Sequence, residues 1–162
     1  MPFDQSSDAP DCEIVSTRTV AASNEMVFAA WTNPDLLQNW WGPAGFTNTF
    51  EVFDLRPGGK WRFTMHGPDK GTYQNECVFM EITKPMRLAW NRLTKPLFQV
   101  VVTFEALGTN KTKIVFRQIF PSVAACNKIK AFAGDKNEEN FDRLEAELEK
   151  MALAMPSSTY KK

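Results

Sequence analysis

The sequence predicts an α+β domain. A curved antiparallel sheet of about six or seven strands packs around a long C-terminal helix, and two short helices follow the first strand. Three observations carry this. Alternating apolar segments bounded by Gly and Pro turns fill residues 46–120. A capped amphipathic segment with an internal proline break occupies residues 23–38. The strongest helical periodicity lies at residues 137–154.

Taken in order, Glu13 to Val20 carries β-branched residues in loose alternation and reads as a first strand. Ser23 suits a helix N-cap, and Glu25 sits in the first turn, where the helix dipole favours a negative charge. Val27, Phe28 and Trp31 share one face. Asn33-Pro34 ends this helix, because a residue before proline is pushed out of the helical region. Pro34 then opens a second short helix to about Gln38, and Trp40-Trp41-Gly42-Pro43 breaks the periodicity.

Phe46 to Leu55 reads as a strand, followed by the turn Arg56-Pro57-Gly58-Gly59. In Lys60 to His66, Trp61, Phe63 and Met65 face one way, and Lys60, Arg62, Thr64 and His66 the other. Thr72 to Thr83 and Arg87 to Arg92 are further strands. Phe98 to Leu107 places Phe98, Val100, Val102 and Phe104 on one face. Lys111 to Phe120 does the same with Ile114, Phe116, Gln118 and Phe120. Short turns between successive strands imply an antiparallel meander. Ser122 to Phe132 reads as a helix, Gly134 as an interruption, and Asn137 to Ala154 as the long final helix. Phe141, Leu144, Leu148 and Met151 form its apolar stripe, and Glu138, Glu139, Asp142, Glu145, Glu147, Glu149 and Lys150 its mostly solvated face. Residues 1–11 read as a disordered leader, 12–155 as one domain and 156–162 as a disordered tail.

The 162 residues allow one well-buried domain. Nineteen basic and nineteen acidic residues cancel, which gives no electrostatic reason to expect nucleic acid or an anionic membrane surface as partner. No apolar run approaches the roughly 20 residues that span a bilayer. The polar, acidic N-terminus lacks the pattern of a signal peptide. Cys12, Cys77 and Cys126 are far apart, without metal-ligand spacing, and their odd number fits a reducing cytoplasm. No metal or cofactor is expected.

Four segments, in order, resemble one family. They are Val27-Phe28-Ala29-Ala30-Trp31-Thr32-Asn33-Pro34, then Trp40-Trp41-Gly42-Pro43 with Gly45-Phe46, then Asp54 to Phe63 with Met65, Gly67-Pro68-Asp69 and Gly71, and last Glu139 to Leu144. Together they resemble the START-related helix-grip superfamily (SRPBCC), and more narrowly the stand-alone bacterial relatives of the activator of heat-shock-protein-90 ATPase. The resemblance implies a helix-grip fold. The superfamily's activities range over lipid carriers, plant hormone and allergen proteins, polyketide cyclases, ring-hydroxylase subunits and chaperone activators, and a shared fold does not fix which applies.

Catalytic signals are sparse. His66 falls on the face opposite Trp61 and Phe63. No nucleophile elbow, GxGxxG or P-loop is present. Glu51, Glu76, Glu81, Tyr73, Arg18 and Arg117 lie in strands beside apolar residues, each open to an ion-pair or a pocket role, because a bulge would shift register. Asp54, Arg56 and Arg62 flank the Pro-Gly-Gly turn as a structural ion-pair network. Gln118 shares an apolar face and needs a partner, which a ligand could supply.

The leading expectation is a cytoplasmic protein that binds an apolar, aromatic or lipid-like small molecule between sheet and helix. Trp40, Trp41, Phe46, Trp61, Phe63 and Trp90 would line the cavity from the first two-thirds of the chain. Phe104, Phe116, Phe141 and Leu144 would complete it, with Gln118 or Tyr73 orienting the ligand. A cyclase- or hydrolase-type enzyme with a cavity carboxylate or Tyr is the second reading. A protein-interaction module, such as a chaperone co-factor, is the third. A protein partner and a homodimer both remain open.

Overall fold

The computed structural model describes residues 13–154. The expected leader and tail, and Cys12, lie outside the described residues. The elements run β1 (Glu13–Val20), α1 (Asn24–Thr32), α2 (Pro34–Trp40), β2 (Thr47–Phe53), β3 (Lys60–His66), β4 (Thr72–Thr83), β5 (Arg87–Arg92), β6 (Gln99–Gly108), β7 (Lys111–Ile119) and α3 (Val123–Ala154). All seven strands form one sheet in the order β1-β7-β6-β5-β4-β3-β2, with every pairing antiparallel. The α1–α2 pair therefore spans the sheet from one edge strand to the other.

Local chemistry sets the helix ends. The Ser23 hydroxyl accepts a hydrogen bond from the Met26 amide at 3.1 Å and caps α1. Asn33 serves two helices. Its backbone N–H donates to Ala29 O to close α1, and its Oδ1 accepts from the Asp35 amide at 3.0 Å to open α2. The second helix runs two residues beyond Gln38, which puts Trp40 inside it, where its indole Nε1 donates to Ala30 O at 3.0 Å.

The main departure from expectation is α3, one continuous helix of 32 residues rather than two. Gly134 does not interrupt it. A helix-interior glycine costs about 1 kcal/mol relative to alanine. Its neighbours Ala133 and Asn137 are buried, and their packing outweighs that cost.

The core lies between the sheet's inner face and the helices. Trp31, Trp40, Trp61, Phe63, Phe79 and Phe104 are its largest fully buried side chains. Phe104 packs against Phe28 and Trp31, with ring centroids 5.7 and 5.6 Å apart, and so fills space under α1. A smaller cluster of Ile14, Phe120, Cys126 and Ala133 seats the first half of α3. A bulge at Met80 separates the Phe79–Trp90 and Glu81–Ala89 pairs. Ahead of that bulge, alternate residues Asn75, Cys77 and Phe79 are buried.

Candidate ligand cavity

A cavity of about 230 Å³ opens between the inner face of the sheet, α3 and the loop after α2. Strand register explains its walls. Phe63 pairs with Asn75, Trp61 with Cys77, Cys77 with Arg92, Trp90 with Val100, and Val100 with Gln118. Side chains alternate between faces, so five neighbouring strands each send residues two apart into the same space. These are Trp61, Phe63 and Met65 from β3, Asn75 and Cys77 from β4, and Trp90 and Arg92 from β5. Phe98 and Val100 come from β6 and its approach, and Phe116 and Gln118 from β7. The helix contributes Lys136, Asn137 and Asn140, and the loop contributes Trp41, Gly42 and Pro43.

Of the residues expected at the cavity, Trp41, Trp61, Phe63, Trp90, Phe116 and Gln118 line it. The other six lie elsewhere. Trp40 packs against Trp31 at 4.8 Å in the core under α1 and α2. Phe104, Phe141 and Leu144 are buried in the packed core, where they touch other side chains rather than open space. Phe46 and Tyr73 sit 6.1 Å apart beside the β3–β4 turn. Tyr73 is exposed, and its hydroxyl donates to Asp69 Oδ2 at 3.4 Å. Tyr73 is at an odd position of β4, as the inward Asn75 and Cys77 are, but it lies at the strand's open end beyond the cavity.

The helix holds the loop after α2 against the sheet through polar contacts that periodicity alone does not reveal. Arg143 donates through Nη1 to the carbonyls of Trp41, Gly42 and Pro43 at 3.2, 2.9 and 2.9 Å. Its Nη2 donates to those of Asn39 and Phe46 at 3.1 and 2.8 Å. Asn140 Oδ1 accepts from the Gly42 amide at 3.0 Å, and Glu139 Oε1 from the Ala44 amide at 3.1 Å. Gly42 adopts a φ of +102°, a backbone conformation that favours glycine, and a Cβ there would sit 2.7 Å from Met65 Cε, whose flexible end would have to shift. Asn137 Nδ2 donates to Ser16 Oγ and to Gln118 Oε1, each at 3.0 Å. Gln118 therefore has a protein partner for its oxygen.

The acidic face of α3 is mostly exposed or half-exposed, and Glu147 is its exception. Glu147 is only 5% exposed and accepts from Asn39 Nδ2 at 3.1 Å. Glu138, Asp142 and Glu145 converge on Arg18 at 2.6, 3.1 and 2.7 Å. Burial works against the Arg18 charge, but its hydrogen bonds to these carboxylates outweigh it and raise its pKa.

None of the acid–base candidates lines the cavity. Arg117 pairs with Glu13, Glu76 with Lys60 at 2.9 Å, and Glu81 with Arg87 at 2.9 Å. Glu51 accepts from the Thr64 hydroxyl at 2.9 Å. His66 Nε2 lies 2.9 Å from Thr49 Oγ1. At the Pro-Gly-Gly turn Asp54 and Arg56 pair at 2.9 Å, whereas Arg62 stands apart from them and faces a polar hollow shared with Glu51 and Glu76. The Cys77 thiol does line the cavity, and burial pushes its pKa up to about 12, so it stays protonated.

Arg92 was not anticipated. It lies two residues beyond the inward Trp90 in β5. Its Nε donates to Pro96 O at 2.9 Å, its Nη2 to Lys95 O at 3.1 Å and its Nη1 to Asn75 Oδ1. Its guanidinium carbon is 5.6 Å from the Phe98 ring centre, and burial lowers its pKa.

An antiparallel sheet gripping one long C-terminal helix defines a protein of the helix-grip class. Within that class the match is specific: the chain belongs to the family described as Activator of Hsp90 ATPase homolog 1-like protein, whose pattern it matches over residues 21–149. Among solved structures it is similar to a protein of Nitrosomonas europaea, with a TM-score of 0.81 and 22% identity over 90% of this chain and 99% of that one. A Rhodobacter sphaeroides protein gives 0.79 and 22% over 96% and 99%. An Arthrobacter aurescens protein gives 0.81 and 23% over 88% and 89%. At these identities the likeness is one of fold. No curated protein matches the chain. Among the described residues no helix is long and apolar enough to cross a membrane.

Proposed function

We propose that the chain is a cytoplasmic small-molecule-binding protein whose ligand is apolar or aromatic and occupies the cavity between sheet and α3. The observation that carries this reading is the cavity wall itself, where Trp41, Trp61, Trp90, Phe63 and Phe116 surround open space rather than one another alone. A dry 150 Å³ apolar cavity is enough for benzene, so about 230 Å³ suits a ligand of one or two rings. Apolar burial at about 25 cal/mol per Å² drives association, and the amide groups orient the ligand.

The test is a thermal-shift screen against one- and two-ring aromatics, short fatty acids and sterols, with tryptophan fluorescence recorded in parallel. A ligand that raises the melting temperature and quenches fluorescence supports the reading. The absence of any shift across the panel overturns it and favours a protein-interaction role.

A further inference from the structure

Charge is distributed unevenly around the cavity. Its lining includes the cations Arg92 and Lys136 and the amides of Asn75, Gln118, Asn137 and Asn140, but no carboxylate. No acidic side chain among the described residues pairs with Arg92, in contrast to Arg18, which has three. An Arg offers five N–H donors, and three of those on Arg92 go to Pro96 O, Lys95 O and Asn75 Oδ1. Two remain without a partner among the described residues. Gln118 is 7% exposed, and with its Oε1 held by Asn137 its Nε2 has no partner there either. Cys77 sits directly opposite Arg92 in the sheet and, as a neutral thiol, leaves that charge uncompensated. Arg92 is half-buried, so its charge is only partly hydrated and has no counter-charge, and an anion entering the cavity would offset that partial desolvation.

We infer that the cavity is built for an amphipathic anion: a one- or two-ring aromatic carboxylate whose rings lie among Trp41, Trp61 and Trp90 and whose carboxylate meets Arg92. The inference rests on the small-molecule reading above and narrows its ligand class. Asn75 holds the guanidinium through its Oδ1, its own Nδ2 donating to Tyr73 O at 3.0 Å. Gln118 supplies a further donor from the neighbouring wall. Lys136, exposed on α3, raises the local concentration of anions at the mouth. Arg92 also ties down the loop carrying Lys95 and Pro96, so its removal has a structural effect that the test must separate from loss of the anion contact.

The test titrates the full chain with 2-naphthoate and with its uncharged analogue 2-naphthamide, following tryptophan fluorescence, in wild type and in Arg92→Gln. Charge-assisted hydrogen bonds predict that wild type prefers naphthoate by about tenfold or more. Arg92→Gln removes that preference while its affinity for naphthamide stays within about threefold. Equal wild-type affinity for the two probes overturns the anion inference and leaves the cavity reading standing. Binding of neither probe overturns both. An Arg92→Gln chain that still prefers naphthoate shows that Arg92 is not the anchor. If Arg92→Gln does not fold, Lys136→Gln on the exposed helix face takes its place, and the wild-type preference decides the ligand class by itself. In that variant a weakened naphthoate affinity with unchanged naphthamide affinity supports the electrostatic argument. An unchanged ratio in wild type and variant alike, near one, refutes it.

Discussion

Arg143→Met removes the clamp that α3 places on the loop between α2 and β2, while keeping most of the apolar stem. Two guanidinium nitrogens with four N–H groups serve five carbonyls, all but one of them in residues 41–46. At about 1 kcal/mol net for each N–H the bonds together contribute about 4 kcal/mol. The contact to Asn39 O is solvent-exposed and the freed carbonyls regain water, so a loss of about 3 kcal/mol is expected. For a domain of this size that corresponds to a fall in melting temperature of about 6–12 °C. Equilibrium urea unfolding followed by tryptophan fluorescence measures it. Arg143→Lys is the control: it keeps the charge but loses the planar fork, and is expected to recover less than half of the loss. A destabilisation below about 1 kcal/mol for Arg143→Met would refute the clamp.

Three further outcomes are expected. Gly134→Ala should stabilise the chain by about 0.5–1 kcal/mol, read by urea unfolding, because the added methyl meets nothing within 4 Å and the helix continues through that residue. Glu81 is held below its ordinary pKa of 4.5 by hydrogen bonds from Thr83 and Arg87. Its contribution is therefore present above that pH and lost as pH falls through the lower folded value, so Glu81→Gln should flatten the acid limb of stability against pH. The Cys77 thiol, with its pKa near 12, should resist iodoacetamide at neutral pH in the native protein and be alkylated in urea, as mapped by mass spectrometry.

Much of the fold was legible because turn chemistry and alternation agree. Strands β3, β4 and β5 begin and end where Gly and Pro punctuate an alternating pattern. The continuity of α3 was not legible, since a local glycine signal says nothing about the sheet that buries Ala133 and Asn137 on either side of it. The cavity was only partly readable for a different reason. Alternation tells which residues point inward, and Trp61, Phe63 and Phe104 all do. It does not tell which of them meet open space and which, like Phe104 beneath Phe28 and Trp31, meet another side chain. That depends on where α1 and α3 cross the sheet. Arg92 was within reach of the same rule, because it follows the inward Trp90 by two positions, but its polar neighbours concealed the phase. The contacts of Arg143 and Asn140 with the loop join residues about a hundred positions apart, and no local pattern encodes them.

The five tryptophans provide the most direct test of the central claim. Each indole N–H gives its own signal in a proton–nitrogen NMR spectrum, and titration with 2-naphthoate should move those of Trp41, Trp61 and Trp90 first and farthest. Trp31 and Trp40 do not line the cavity but pack behind its wall, against Trp41, and should respond less. Shifts confined to surface residues, or no shifts at saturating probe, would contradict a ligand site between the sheet and α3.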